Sequence, residues 1–151
     1  MRNVATEGTD RVPGWVRLGA AVLAVPQLVT GGWAVLDAQH WYRNFPGFEP
    51  RLVAADGPFN AHLATDAGAG FLATGVVMVV AAVWGRRAAV GLALVTYLVF
   101  AAPHLVFHAA NPADGLSSAE DARNVFTLAI GTALPLVLLW GSRVRRAAAS
   151  P

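Results

Sequence analysis

Four long apolar runs constrain the fold of this chain more than any other feature. About 20 apolar residues in a helix cross the roughly 30 Å hydrocarbon core of a bilayer. Within that core the backbone must form its hydrogen bonds inside helices or closed barrels. The sequence therefore predicts an all-α, four-helix transmembrane bundle that spans residues 15–141, with short tails at 1–14 and 142–151. The predicted spans are about residues 15–36, 62–84, 88–110 and 125–141.

The composition agrees with a membrane protein and excludes several kinds of site. Only 13% of the residues are charged, whereas a soluble domain carries about 25%. The chain has no cysteine, which excludes disulfides, iron–sulfur clusters and thiolate zinc sites. All 11 basic residues are arginines, and no basic stripe with interleaved aromatic residues is present. We therefore expect the lipid bilayer as a partner and no nucleic acid.

The distribution of arginines predicts the orientation. The first 17 residues, the turn at 85–87 and the C-terminal tail together hold eight of the 11 arginines. By the positive-inside rule these segments are cytoplasmic, which gives an N-in, C-in topology with the two longer connections outside. An arginine-only chain rich in Ala, Val, Leu and Gly is typical of bacteria with GC-rich genomes, so we expect a multi-pass protein of the bacterial inner membrane. A cleaved signal peptide is the competing interpretation of the first run, but that run is long and lacks a convincing cleavage site.

The connection between the first two runs, residues 37–61, is rich in aromatic residues. Its three prolines and two glycines make a continuous helix unfavourable. Tryptophan, tyrosine and phenylalanine suit the membrane–water interface. We predict a structured outer loop that lies over the bundle, either as an aromatic anchor belt or as a lid over a site beneath it. Downstream, Asn60 or Asp56 is expected to cap the second helix, and Ser118 resembles a helix start with acidic residues in its first turn.

Two pairs of ionisable residues have helical spacing near the predicted outer face. His104 and His108 lie four residues apart, and so do His62 and Asp66 on the preceding run. In the predicted topology the four side chains occupy the same two layers of neighbouring antiparallel helices. Polar groups at such a depth are costly and are functional candidates. Three imidazoles and one carboxylate are suitable ligands for a divalent transition metal, zinc first and iron or copper next.

Several alternatives stay open for this predicted metal site. A closed set of four ligands would make a zinc ion structural, whereas Asp66 acting as a base would leave a three-histidine catalytic arrangement. Haem is less favoured because the histidines lie near the surface and no Cys-x-x-Cys-His is present. The same residues could form a proton relay or a polar substrate site, or a His–Asp hydrogen bond that only joins two helices.

Three functions are compatible with the pattern. The first is ion binding that supports a membrane-embedded hydrolytic or redox reaction. The second is a non-catalytic accessory subunit of a larger membrane complex, and the third is a small transporter that works as a homo-oligomer. Polar residues within the spans, such as Gln27 and Tyr97, are too scattered to trace a transport path.

Three short stretches carry a resemblance to known proteins. They are Trp-Tyr-Arg-Asn-Phe-Pro-Gly-Phe at 41–48, Gly-Pro-Phe-Asn-Ala-His-Leu at 57–63 followed by Asp66, and Pro-His-Leu at 103–105 followed by His108. With these motifs the chain resembles a group of small four-span integral membrane proteins from actinobacteria over most of residues 15–140. The resemblance implies a four-span fold and no particular activity. A looser likeness to DoxX-type four-helix membrane proteins rests on architecture alone, and fold does not imply function.

Overall fold

The computed structural model describes residues 10–147, with side chains as far as Arg143. The four long helices are long and apolar enough to cross a membrane, which confirms the predicted all-helical architecture and suggests a multi-pass membrane protein. The parts of the predicted tails at 1–9 and 148–151 lie outside the described residues. Within the described range the helices are α1 (Gly14–Leu36), α2 (Ala38–Asn44), α3 (Leu52–Asp56), α4 (Ala61–Trp84), α5 (Arg87–Ala110) and α6 (Ser118–Ala147).

The helix ends follow from local capping. The side chain of Asn60 accepts a hydrogen bond from the backbone N–H of Leu63 at 3.1 Å, which confirms the predicted cap of α4. At the other end of α4, Gly85 has φ +64°, a left-handed conformation that suits glycine. Before α6, the backbone N–H and the hydroxyl of Ser117 both donate to a carboxylate oxygen of Glu120, at 2.9 and 2.6 Å. This reciprocal cap starts α6 well before the apolar run that begins near residue 125.

Helices α1 and α4 pack closely because glycines face each other across their interface. A Cβ atom added at Gly31 would lie 2.7 Å from the carbonyl oxygen of Gly68, and one added at Gly68 would lie 2.7 Å from Cβ of Ala34. Farther along, a Cβ at Gly75 would lie 2.8 Å from the side chain of Leu28. Residue numbers rise on α1 as they fall on α4, so the pair is antiparallel. Small residues at such a contact are typical of helix pairs in lipid.

The half of the bundle near the α4–α5 turn is densely packed. Its core combines side chains from all four long helices, and Met78, Val16, Val90 and Leu94 have no exposed surface. The segment before α1 lies against the same turn, because the backbone N–H of Val12 donates to the carbonyl of Gly85 at 3.0 Å. This half therefore contains the main apolar core of the bundle.

The other half of the bundle is covered by residues 37–60. Helices α2 and α3 lie in this segment, and a smaller apolar cluster forms around Ala34, Trp41 and Ala64. The hydroxyl of Tyr42 donates to the carbonyl of Gly57 at 2.6 Å, which closes the segment on itself. We call residues 37–60 the cover segment. Its far side reaches the α5–α6 connection, where the backbone N–H of Gly115 donates to the carbonyl of Ala55 at 3.2 Å.

Candidate functional site

A cavity of about 660 Å³ lies beneath the cover segment, in the half of the bundle opposite the dense core. All four long helices and the cover segment contribute to its walls. Small-molecule sites in proteins have volumes of roughly 300–1,000 Å³ and are mostly apolar with a few placed polar groups. The cavity has both the size and the kind of wall that such a site requires.

One face of α5 forms an aromatic wall of the cavity. Tyr97, Phe100, His104 and His108 follow one another at helical spacing and all line it. The imidazole of His104 lies nearly parallel to the ring of Phe100, with centroids 5.7 Å apart and planes 22° apart. The ring of His108 meets that of His104 edge-on at 4.7 Å. The predicted pair His104 and His108 therefore does face a common site.

The opposing wall comes from α6 and is polar. Glu120, Arg123, Asn124 and Thr127 line the cavity near the start of this helix. Deeper in the bundle, α5 and α6 approach at Gly131, where an added Cβ would lie 3.7 Å from the hydroxyl of Tyr97. The charged side chains and both histidines thus lie at the end of the cavity near the cover segment, and the rest of the wall is aromatic, aliphatic or polar without charge.

Helix α1 and the cover segment each place a buried polar group at the cavity. Gln27 and Trp41 both line it and are each only 6% exposed. Within the described part of the chain, Oε1 of Gln27 and Nε1 of Trp41 have no hydrogen-bond partner. A buried polar atom without a partner lowers stability by about 1–3 kcal/mol. Each such group calls for an explanation, and a role at a functional site is one.

The second predicted pair, His62 and Asp66, lies elsewhere. Nε2 of His62 is 3.4 Å from Oδ2 of Asp66, and the two side chains are 86% and 63% exposed. The residues of α4 that line the cavity are Ala67 and Phe71. Successive helical residues are rotated by about 100°, so Asp66 points well away from the direction of Ala67. The structure therefore does not bring His62 and Asp66 together with His104 and His108.

This separation bears on the predicted metal site. Among the described residues, no group of three or more His, Cys, Asp or Glu side chains lies close enough to hold a metal ion. Binding of zinc, iron or copper at His62, Asp66, His104 and His108 stays a prediction without support from this geometry. Two acidic residues outside the predicted set of ligands, Asp56 and Glu120, line the cavity. His40 instead accepts a hydrogen bond from the indole of Trp33 at 2.8 Å.

Sequence reasoning missed most of the cavity wall. The spacing of the ionisable pairs did not point to Phe71, Phe100 or Arg123. A signal was present on α6, where polar residues recur every three or four positions from Glu120 to Thr127. That spacing is typical of one helix face, and a polar face on a membrane helix is expected to line an internal site.

Comparison with known proteins identified no relative. No protein-family model, no curated protein and no solved structure matches the chain.

Proposed function

We propose that the protein binds a membrane-soluble amphiphile, a small molecule with an apolar body and a polar head group, in the cavity beneath the cover segment. The single observation that supports this function is the 660 Å³ cavity itself, with aromatic walls and a polar end. The apolar body would contact residues such as Phe71 and Phe100, and the head group would contact His104 and His108. Burial of apolar surface supplies most of the affinity for such a ligand, and the polar groups orient it.

We further propose an N-in, C-in orientation, so that the cavity lies in the outer half of the membrane. Arginines support it, because Arg17, Arg86 and Arg87 lie at the densely packed end of the bundle. Nε of Arg86 is 3.1 Å from a carboxylate oxygen of Asp10, and Nε of Arg17 donates to the carbonyl of Ala82 at 2.8 Å. Short loops that are rich in arginine or lysine lie on the cytoplasmic side of the membrane. The cover segment would then face the outside.

A binding experiment tests the proposed function. The purified protein in lipid nanodiscs is titrated with a fluorescent long-chain alcohol, and binding is measured in excess of empty nanodiscs. Ala67→Trp places a large side chain at the cavity wall and should reduce the affinity at least tenfold. Thr132→Trp fills the cavity from α6 and should have the same effect. With two variants on different helices, the test still gives a result if one of them does not fold.

The matched control is Ala69→Trp. Ala69 is an exposed residue of the same helix, α4, and does not line the cavity. We expect this variant to bind the alcohol as the wild type does. If the alcohol does not bind above the lipid background, or if the variants at positions 67 and 69 lose affinity equally, the proposed function is wrong.

A further inference from the structure

We infer that the ligand carries a neutral ring with a hydroxyl group, of the phenol class, at the polar end of the cavity. This inference rests on the proposed function and names the chemistry of the head group. Three independent features of the cavity support it. They are the arrangement of aromatic rings, the balance of charges and the unused hydrogen-bonding groups.

The aromatic rings of α4 and α5 form one continuous wall that leads from the apolar part of the cavity to this end. Phe71 meets Phe100 edge-on, with centroids 4.7 Å apart and planes 67° apart. It also meets His104 edge-on, at 6.3 Å and 88°. His108 extends the series from His104. Aromatic rings prefer tilted or offset neighbours at centroid distances of about 4.5–7 Å. An aromatic ring in the ligand could pack in a tilted or offset arrangement against these rings. A straight alkyl chain would bury apolar surface there but would make no such ring–ring contact.

The charges at the polar end balance one another. Asp56 and Glu120 supply two carboxylates, and Arg123 supplies one guanidinium. The carboxylate of Glu120 is already stabilised in the cap of α6, where it accepts hydrogen bonds from Ser117, so Asp56 and Arg123 leave one charge of each sign. Glu120 and Arg123 lie three residues apart on α6, a spacing at which opposite charges on a helix attract. A charged head group would leave an unpaired charge in a partly buried site, which is costly. The balance therefore favours a neutral head group.

The hydrogen-bonding groups at this end are free to contact a ligand. The side chains of His104, His108 and Asn124 line the cavity, and none of them takes part in a side-chain hydrogen bond between residues that the structure describes. A neutral imidazole has one N–H donor and one acceptor nitrogen, and an amide has both kinds of group. A phenolic hydroxyl can donate to an imidazole nitrogen and accept from the amide of Asn124. It would thus satisfy groups from both α5 and α6.

A series of probes with one body and different head groups tests this inference. Three probes that share an octyl-substituted ring are titrated separately against the full chain in nanodiscs: 4-octylphenol, the 4-octylbenzoate anion and 4-octylphenyl-trimethylammonium. A straight-chain alcohol of equal hydrophobicity serves as the probe without a ring. We expect octylphenol to bind at least tenfold more tightly than each of the others. His104→Phe keeps the aromatic stack and removes the hydrogen bond, so it should weaken octylphenol binding about tenfold. His108→Phe is the second variant, should His104→Phe fail to fold.

The control variant is His62→Phe, because His62 is exposed and away from the cavity. It should leave octylphenol binding unchanged. Tighter binding of the benzoate or of the ammonium probe would overturn the neutral head group, and equal binding of the straight-chain alcohol would overturn the ring. In both cases the cavity would still bind amphiphiles. If none of the probes binds, the proposed function fails as well.

Discussion

Gln27 is a polar residue in the middle of α1, 6% exposed, with Oε1 unpartnered among the described residues. We predict that Gln27→Met raises the stability of the protein by about 1 kcal/mol, because it removes a buried amide oxygen without a partner and keeps a side chain of similar size. The same variant should bind amphiphiles more weakly, since Gln27 lines the cavity. Thermal unfolding in detergent and the nanodisc titration measure the two effects.

Gln39 provides the control for this substitution. It is an exposed residue of α2, so Gln39→Met should change neither stability nor binding. A loss of stability in Gln27→Met would mean that the amide is satisfied in the native protein, which contradicts its assignment as an unsatisfied group at the site.

At the residue scale, sequence spacing identified candidates but not their directions. His104 faces the cavity because it continues the α5 face of Tyr97, Phe100 and Ala101. The pair of His62 and Asp66 has the same internal spacing, yet it is out of phase with the cavity residues of α4. Spacing within a pair says that two side chains share a face. Which face of the helix is turned inward is shown only by the other residues of that helix that line the cavity.

At the scale of helices, the close contact of α1 and α4 depends on Gly31. Its neighbour in the sequence, Gly32, is also a glycine but makes no such contact. A Cβ atom at Gly31 would meet the backbone of α4, whereas one at Gly32 would have nothing within 4 Å. We predict that Gly31→Ala destabilises the protein by about 1–3 kcal/mol, because the helices must separate. Thermal unfolding in detergent measures the change.

Gly32→Ala is the matched control for this prediction. It should be neutral or slightly stabilising, since alanine has the higher helix propensity. Equal destabilisation by the two variants would show that loss of glycine in α1, rather than contact with α4, determines the effect.

The apolar runs predicted the ends of α1, α4 and α5 to within a single residue. This success has a simple cause, since turns and caps such as Gly85 and Asn60 adjoin the runs. The short helices α2 and α3 were not predicted, because the prolines around them mask helices of less than two turns. The early start of α6 was predicted only from its cap, as hydrophobicity begins later along the chain.

At the scale of the whole molecule, the two halves of the bundle differ in packing. Side chains with no exposed surface, such as Met78 and Leu94, fill the half near the α4–α5 turn. The cavity occupies the other half. Hydropathy could not reveal this difference, because it depends on which side chains meet across four helices. The sequence therefore predicted the four long helices well and the position of the cavity only in part.

The absence of cysteine in the sequence allows a clean test of the proposed orientation. Single cysteines are introduced at two exposed positions, Arg43 in the cover segment and Ala88 beside the α4–α5 turn. A membrane-impermeant maleimide is added to intact cells whose outer envelope has been permeabilised, and it should label position 43 and not position 88. Inside-out vesicles should give the reverse pattern. Labelling of position 88 from outside would contradict the N-in, C-in orientation.

Photo-crosslinking tests the central claim, binding of an amphiphile in the cavity, most directly. A long-chain alcohol that carries a diazirine is activated on the protein in nanodiscs, and the modified residues are mapped by mass spectrometry. We predict that labelling concentrates on Phe71, Phe100 and Tyr97, and that an excess of unlabelled alcohol prevents it. Labelling that is confined to outward-facing residues such as Val76 and Val99, and that does not saturate, would contradict the claim.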